Sequence, residues 1–200
     1  MAVISAILTA AGESTRMGTP KPLLEWKGVP LIQYQISMLI EAGLSEIIVV
    51  LGHEKESMEP LVHGDGVHSV YNPDYRLGRS TSVRIGAENV TLNSKAILLL
   101  GVDQPRSPDM VSKIIDFHMD KGLLITSPEY NGRGGHPIIF SSKLKDELTT
   151  VTEKYEGVRK IFISHNDQIS KFICEDPMVR LDMNTPNEYS DAHRRYGSVI

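Results

Sequence analysis

The sequence predicts an α/β fold, a single-domain three-layer α/β/α sandwich around a mostly parallel sheet. Short apolar runs alternate with helix-like segments through the first 125 residues. This alternation is typical of right-handed β–α–β crossovers, which place helices on both faces of a sheet. The alternation breaks in the C-terminal half, where we expect antiparallel strands to be added. Two hundred residues with 40% hydrophobic and 23% charged side chains fit one such domain, residues 1–200.

Continuous apolar runs mark the strands. The runs EIIVVL and AILLLGV lack polar alternation, which is typical of strands that are covered on both faces. Strands are predicted, in chain order, at residues 3–8, 46–51, 67–71, 96–102, 123–126, 138–140, 169–174 and 178–181.

Helices are predicted where apolar residues recur at helical spacing between residues that start and stop helices. Pro30 can open the first helix, and Gly43 suits its end. Ser107 is a good cap for a helix that begins with proline, and Ser80 or Thr81 could cap another. The predicted helices cover residues 30–42, 53–62, 80–89, 108–121, 142–148, 156–164 and 186–196.

Composition argues against several functional classes. A net charge of −4 argues against a general nucleic-acid binder or a membrane-surface protein, since both usually carry a basic excess. The single cysteine, Cys174, excludes an intramolecular disulfide and a multi-cysteine zinc site, and it fits a reducing compartment. The N-terminus shows no basic leader and no apolar run reaches transmembrane length, so a cytoplasmic location is expected.

A glycine-rich loop that carries two cations follows the first predicted strand. Residues 8–24 are LTAAGESTRMGTPKPLL, with small residues first and then Arg16 and Lys21. Accessible backbone N–H groups beside Arg and Lys suit a polyphosphate, so we interpret the loop as the triphosphate site of a nucleotidyltransferase. Its spacing matches neither the dinucleotide fingerprint nor the P-loop. The alternative is a surface connection with ordinary cations.

Two aspartates are predicted to lie beside this loop. Asp103 follows the fourth predicted strand and Asp182 follows the last. The carboxyl ends of parallel strands meet at one edge of a sheet, where ligands bind. Carboxylates together with phosphate oxygens suit Mg²⁺, so we predict that the pair holds magnesium. Each aspartate taken alone could equally be a turn residue.

The seven histidines include no pair with zinc-binding spacing. His118 lies on the apolar stripe of its predicted helix and is assigned to the core. His136 lies in a second glycine-rich loop, residues 131–137, where the anionic group of an acceptor could approach; turn packing is the alternative. Arg133 in the same loop could reach an acceptor phosphate. The others are expected at the surface: His53, His63, His68, His165 and His193.

Four motifs, in order along the chain, give the sequence a family resemblance. They are LTAAGESTRMGxxKxLLxxxGxPL at residues 8–31, GVDQP at 101–105, GRGGHP at 132–137 and LDMNTP at 181–186. Together they resemble the signature of the molybdopterin-dinucleotide-type nucleotidyltransferases, and within these most closely the molybdenum cofactor cytidylyltransferases. The resemblance covers most of the chain. It implies a Rossmann-like fold similar to that of the nucleotide-diphospho-sugar transferases.

The resemblance implies roles for the matching positions. Asp103 and Asp182 would hold Mg²⁺, and Asn184 replaces the second acid of the family's D-x-D-T-P segment. Ala11 favours CTP, since relatives that use GTP tend to have glycine there. The implied catalytic residues are Arg16, Lys21 and Asp103. The implied nucleotide contacts are Leu8, Ala10, Ala11, Gly12, Arg16, Lys21, Arg79, Ser80 and Ser82, and the implied acceptor contacts are Arg133 and His136.

The function predicted from the sequence is therefore Mg-dependent transfer of CMP from CTP to the phosphate of molybdopterin, with release of pyrophosphate. A phosphate acceptor is ionised near neutral pH, which agrees with the lack of an obvious nucleophile–base pair. A sugar or polyol phosphate acceptor is the nearest alternative. Another is a non-catalytic carrier of molybdenum cofactor for a client enzyme such as a molybdenum hydroxylase, which would not need both cations and both aspartates. No nucleic-acid or membrane partner is expected.

Overall fold

The fold is built on an eight-stranded β-sheet and a two-stranded hairpin, within the residues 3–198 that the computed structural model describes. The strands are β1 (Val3–Ala10), β2 (Glu25–Trp26), β3 (Val29–Pro30), β4 (Glu46–Leu51), β5 (Val67–Tyr71), β6 (Ser94–Gly101), β7 (Ile125–Tyr130), β8 (Arg133–Gly134), β9 (Ile138–Ser141) and β10 (Ile169–Ile173). The order in the large sheet is β10-β7-β9-β6-β1-β4-β5, with β8 paired to β7, and β2 pairs with β3.

The centre of the large sheet is parallel. β1 lies parallel to both β4 and β6, and β4 is parallel to β5. β9 runs antiparallel to β6 and β7, and β10 then pairs parallel with β7. The prediction of a mostly parallel sheet with antiparallel additions in the C-terminal half is confirmed.

Seven α-helices lie within residues 3–198. They are α1 (Leu31–Glu41), α2 (Lys55–Met58), α3 (Arg79–Glu88), α4 (Pro108–Asp120), α5 (Lys145–Leu148), α6 (Arg159–Ser164) and α7 (Pro186–Ala192), which a π-helical turn at His193–Gly197 extends. In this part of the chain no helix is long and apolar enough to cross a bilayer.

Alternate side chains of the central strands form two hydrophobic cores, one on each face of the sheet. Leu8 and Val49 belong to the core covered by α1 and α4, whereas Ile7 and Val50 belong to the core covered by α3, α5 and α6. All four side chains are fully buried. Helix α3 packs so closely on β1 that a Cβ added at Gly86 would lie 2.4 Å from Ile7 Cγ2. These helix layers form the predicted α/β/α sandwich.

The two helix starts predicted from capping residues differ in outcome. Helix α4 begins as predicted, because Ser107 is its N-cap and accepts a hydrogen bond from the backbone N–H of Met110. The cap predicted for α3 is wrong, although the helix itself is present. Gly78, with a φ of +113°, precedes α3, and neither Ser80 nor Thr81 is its N-cap. The Glu153 carboxylate accepts the hydrogen bond from Ser80 N instead, at 2.7 Å. That cap comes from 73 residues along the chain, beyond the reach of local sequence patterns.

The predicted strand at residues 178–181 is also wrong. Pro177–Arg180 forms a 3₁₀ turn, because the Asp176 side chain accepts a hydrogen bond from Met178 N at 2.8 Å and Pro177 fixes its own φ. Asp182 therefore follows a turn and not a strand of the sheet.

Two further predicted boundaries differ from the structure. The strand expected at 123–126 extends as β7 to Tyr130, where β8 pairs with it inside the loop predicted at 131–137. The helix expected at 53–62 is divided into α2 and a 3₁₀ turn at Glu59–Leu61, which contains a proline in its first turn.

His118 is a buried polar side chain of α4, as the sequence predicts. Its Nδ1 lies 2.9 Å from Thr126 Oγ1 of β7, and the residue is 2% exposed. Burial lowers the pKa of His118 to about 4, because the charged imidazolium would lose its hydration. Between pH 6.5 and about pH 4 the unfolded chain therefore binds a proton that the folded protein excludes.

We predict that acidification through this range destabilises the fold through His118. The unfolded state binds more protons there, so the free energy of unfolding falls with the pH by up to about 1.4 kcal/mol per pH unit. His118→Gln keeps a hydrogen-bonding group near Thr126 and removes this contribution. Urea unfolding across the range measures the effect, with His63→Gln at an exposed histidine as the matched control. Equal pH dependence in all three proteins would contradict the assignment.

Candidate functional site

A cavity of about 350 Å³ opens at the carboxyl ends of β1 and β6. In an open α/β sheet this is the edge where ligands bind. The loop after β1, the segment before α3, the turn after β6 and the segment before α7 all contribute to it. The lining residues are Thr9, Ala10, Ala11, Gly12, Ser14, Thr15, Arg16, Lys21, Pro22, Tyr75, Gly78, Arg79, Ser82, Val102, Asp103, Asp182 and Asn184.

The loop after β1 places two cations at this cavity. Ser14 and Gly18 have positive φ values of 53° and 71°, which turn the chain sharply. The Ser14 hydroxyl accepts a hydrogen bond from Lys21 N at 3.0 Å, so the turn fixes the point where Lys21 leaves the loop. Arg16 is exposed, with Nη2 at 3.4 Å from Asn184 Oδ1.

The Lys21 ammonium joins this loop to two distant segments. Its Nζ lies 2.5 Å from Asp103 Oδ2 and 2.9 Å from Asn184 Oδ1. The side chains of Lys21 and Asp103 are only 14% and 21% exposed, so water screens their attraction less than that of a surface ion pair.

Asp103 projects from a hydrogen-bonded turn at the end of β6. Gln104 Oε1 accepts a hydrogen bond from Gly101 N at 2.9 Å, and Gln35 Nε2 donates to the carbonyls of Gly101 and Val102. A Cβ added at Gly101 would lie 2.6 Å from Asp103 Oδ1, so a larger residue there would move the carboxylate. The turn therefore sets the position of Asp103.

Asp182 brings a second carboxylate to the same cavity. The two segments are joined through the backbone, since Met183 N donates to Asp103 O at 3.0 Å. Desolvation, and next the negative charge of Asp103, raise the pKa of Asp182, while Lys21 and Arg79 oppose the rise. The two carboxylates repel each other, and a bound cation would relieve that repulsion.

The oxygen donors of the cavity fit a divalent cation. Asp103, Asp182 and Asn184 offer carboxylate and amide oxygens, which hard cations such as Mg²⁺ prefer. Residues 3–198 contain no cluster of three or more His, Cys, Asp or Glu side chains that could enclose a metal. Water and phosphate oxygens of a ligand would therefore complete the coordination, as is usual for Mg²⁺.

Tyr75 adds an aromatic side chain to the cavity. Gly52 packs against both Tyr75 and Ala11. A Cβ added at Gly52 would lie 2.6 Å from Ala11 O and 2.8 Å from Tyr75 Cβ. His53 N also donates to Ala11 O at 3.1 Å. The lack of a side chain at Gly52 thus allows Ala11 and Tyr75 to lie close to the backbone of residue 52. No sequence pattern marks Tyr75, which begins a short 3₁₀ turn at Tyr75–Leu77 within a stretch that the sequence predicts as a loop.

A second cavity, of about 220 Å³, adjoins the first and shares Arg79 with it. Ser80 and His136 line the second cavity. His136 Nδ1 lies 3.2 Å from Gln104 Nε2, so Nδ1 accepts from the amide and Nε2 carries the ring proton. Burial, followed by the charges of Arg79 and Arg106, lowers the pKa of His136 to about 4, which leaves the ring neutral at pH 7.

The structure brings most of the residues named from the sequence to the first cavity. These are Ala10, Ala11, Gly12, Arg16, Lys21, Arg79, Ser82, Asp103 and Asp182. Ser80 and His136 lie in the second cavity. Leu8 is 0% exposed and its side chain belongs to the core, whereas Arg133 is exposed on β8 and lines neither cavity.

A buried arginine that no sequence motif marks lies behind the site. Arg106 is 0% exposed. Burial lowers its pKa to about 9, and the nearby charges of Asp182 and Asp103 oppose that shift, so the guanidinium is charged at neutral pH. Its hydrogen bonds, of 2.7 to 3.1 Å, go to the backbone carbonyls of Pro105, His136, Val179 and Leu181.

The chain is similar to known proteins in sequence and in fold. A family model described as MobA-like NTP transferase domain matches residues 6–169. The chain is 30% identical, over the full length of both proteins, to the molybdenum cofactor cytidylyltransferase of Escherichia coli (strain K12). It is also 25% identical to the nicotine blue oxidoreductase of Paenarthrobacter nicotinovorans, over 91% of this chain and 92% of that protein.

Solved structures show the same fold. Rv0371c from Mycobacterium tuberculosis H37Rv matches with a TM-score of 0.82 at 27% identity, over 96% of this chain and 97% of that one. The complex of Rv0371c with manganese matches with a TM-score of 0.79 at 26% identity, over 96% and 98%. The fold is that of the nucleotide-diphospho-sugar transferases, as expected.

We predict that Asp182→Asn stabilises the metal-free protein at neutral pH. The pKa of Asp182 is higher in the folded than in the unfolded state, so its ionised form opposes folding above the folded-state pKa. This penalty disappears as the pH falls below the unfolded-state pKa. Thermal unfolding in EDTA should therefore show a higher Tm for D182N at neutral pH and little difference in acid. Asp120→Asn, at an exposed aspartate, is the control, and a lower Tm for D182N at neutral pH would contradict the prediction.

Proposed function

Because the chain belongs to the MobA-like NTP transferase family, we propose that it transfers CMP from CTP to the phosphate of molybdopterin and releases pyrophosphate. The observation that carries the proposal is one cavity in which Arg16 and Lys21 face Asp103 and Asp182. Two cations beside two carboxylates suit a nucleoside triphosphate that binds with a divalent metal. The full-length similarity to the Escherichia coli cytidylyltransferase supports this choice of reaction.

The loop after β1 would hold the triphosphate. Gly12 is exposed and presents backbone without a side chain, so phosphate oxygens can approach its N–H and those of its neighbours. Arg16 and Lys21 would supply positive charge to the same oxygens. Lys21, which is paired with Asp103 in this structure, would then lie between a phosphate and the carboxylate.

Asp103 and Asp182 would hold Mg²⁺, with Asn184 as a further oxygen donor. When bound, the metal supplies positive charge that neutralises the phosphate oxygens during transfer. The two side chains contribute fixed positions for that charge, since the turn after β6 holds Asp103 and the backbone bond between the segments holds Asp182.

The second cavity is where we place the acceptor. Arg79 borders both cavities, so the acceptor phosphate and the α-phosphate of CTP would meet beside it. An acceptor oxygen attacks the α-phosphorus, the bond to the bridging oxygen breaks and pyrophosphate leaves. A phosphate monoester is largely ionised near neutral pH, so no side chain has to remove a proton. The neutral His136 can donate a hydrogen bond from Nε2, whereas Arg133 would contact only an acceptor that extends beyond this cavity.

The nucleobase would lie beside Ala10 and Ala11, with Tyr75 as an aromatic neighbour and Ser82 as a polar one. A base at this position would contact the Ala11 methyl group, which would leave less room for a purine than for a pyrimidine. The presence of Ala11 at this cavity is what supports CTP as the nucleotide.

We predict that CTP with molybdopterin gives the fastest pyrophosphate release among CTP, GTP, ATP and UTP. Lys21→Ala should lower that rate by about 10²–10³-fold with the fold intact, because it removes a charge that stabilises the developing negative charge. Lys95→Ala, at an exposed lysine on β6, is the matched control. Near-normal release by K21A would contradict the role of the loop. Release with a sugar phosphate but not with molybdopterin would support the alternative acceptor.

We predict that Ala11→Gly lowers the preference for CTP over GTP, because it removes the methyl group beside the base. Gly12→Ala is the matched comparison, since a Cβ at that position meets no protein atom within 4 Å. It should weaken binding of both nucleotides without changing their ratio, because the new methyl group would approach phosphate and not base. Competition binding measures both ratios. An unchanged ratio in A11G would contradict base discrimination at residue 11.

A further inference from the structure

We propose that Arg106 is a positioning residue that keeps Asp103 and Asp182 close to each other from the buried side of the cavity. It would do so through the backbone of the segment that carries Asp182. The inference rests on the proposed function in one respect, namely that Asp103 and Asp182 bind a divalent cation.

The guanidinium of Arg106 links three segments that are far apart in sequence. Its Nε donates to His136 O at 2.8 Å, and its Nη2 donates to Val179 O at 2.8 Å. Nη1 donates to Leu181 O at 3.1 Å and to Pro105 O at 2.7 Å. The turn after β6, the loop before β9 and the segment before α7 therefore converge on one buried side chain.

Asp182 depends on such contacts because it does not extend from a strand. The 3₁₀ turn at Pro177–Arg180 precedes it, so no sheet pairing fixes its position. The carbonyl of Leu181 is held by Arg106 on one side, and Met183 N is held by Asp103 O on the other. The backbone on both sides of Asp182 is thereby tied to the segment that carries Asp103.

The contact between the loop before β9 and this segment is close. His136 N donates to Val179 O at 2.9 Å, beside the bond from Arg106. A Cβ added at Gly135 would lie 2.4 Å from the same carbonyl oxygen. Only glycine lets the two backbones approach this far, so Gly135 offers a second way to disturb the same contact without changing Arg106.

Arginine suits this position because its planar fork spreads several donors over separate acceptors. A lysine would keep the charge but offer a single compact ammonium group, which cannot reach all three segments. Loss of the guanidinium would remove a donor from the carbonyls of Pro105, His136, Val179 and Leu181, of which Val179 O keeps its bond from His136 N, and would free the segment around Asp182 to shift.

The test measures binding of Mn²⁺ alone, by titration calorimetry, together with CTP binding in EDTA. The variants are Arg106→Lys, Arg106→Ala and Gly135→Ala, and Arg180→Ala at a neighbouring exposed arginine is the control. We expect each of the three variants to weaken Mn²⁺ binding about 10-fold or more. Metal-free CTP binding should fall much less, because no hydrogen bond of Arg106 reaches the loop after β1, which meets the segments of Asp103 and Asn184 only through its own side chains. Added methylguanidinium should restore Mn²⁺ affinity to R106A but not to G135A.

Wild-type Mn²⁺ affinity in R106K or G135A would overturn the inference. An equal loss of Mn²⁺ and CTP binding, or no rescue of a folded R106A by methylguanidinium, would also overturn it, because either result indicates general structural damage. If R106A does not fold, R106K and G135A decide the question. If the wild-type protein binds Mn²⁺ with the same affinity as Asp103→Asn and Asp182→Asn variants, the proposed metal site fails instead, so the two failures are distinguishable.

Discussion

Repulsion between two carboxylates is the constraint on which the arrangement of the cavity depends. Asp103 and Asp182 lie close enough for the charge of the first to raise the pKa of the second. Such a pair persists only where surrounding contacts hold both groups in place. Lys21 contributes positive charge on the cavity side, and Arg106 contributes hydrogen bonds and charge on the buried side. The fold thus keeps two carboxylates concentrated at one point of this cavity.

The sequence contains most of the information about the central sheet, because β1, β4 and β6 are buried on both faces and appear as largely apolar runs. The same topology made Lys21 and Asp103 predictable as neighbours, since both follow strands that end at one edge. The sequence predicts Asp182 beside Asp103, and both line the same cavity. The predicted reason is wrong, because a 3₁₀ turn and not a strand precedes Asp182.

What the sequence could not show are contacts between distant segments. Arg106 binds carbonyl groups, which every residue has, so no pattern of residue types identifies its partners. The Glu153 carboxylate caps α3 across 73 residues, which local capping rules cannot anticipate. Leu8 belongs to a motif that surrounds the cavity, yet the alternation of β1 points its side chain into the core. Motifs mark stretches of chain, whereas the sheet decides which side chains of a stretch face the ligand.

Family membership and the cavity are informative about different parts of the function. The family and the cavity that brings together Arg16, Lys21, Asp103 and Asp182 agree on a nucleotidyltransferase. One relative, 25% identical over 91% of this chain, is named an oxidoreductase. Relatives at this level of identity therefore carry names of different activities. Under the proposed reaction, the choice of acceptor is the part of the function that depends on the second cavity and not on the loop after β1.

Arg79 borders both cavities, and this has a consequence for the release of product. Under the proposed reaction, the product is one molecule whose two halves occupy neighbouring sites. Linked halves bind more tightly than separate ones, because the second contact forms at a high effective concentration. The dinucleotide would then dissociate more slowly than either substrate, and product inhibition would follow. An enzyme of this kind works most efficiently when something else removes its product, so direct transfer to an acceptor protein would relieve the inhibition.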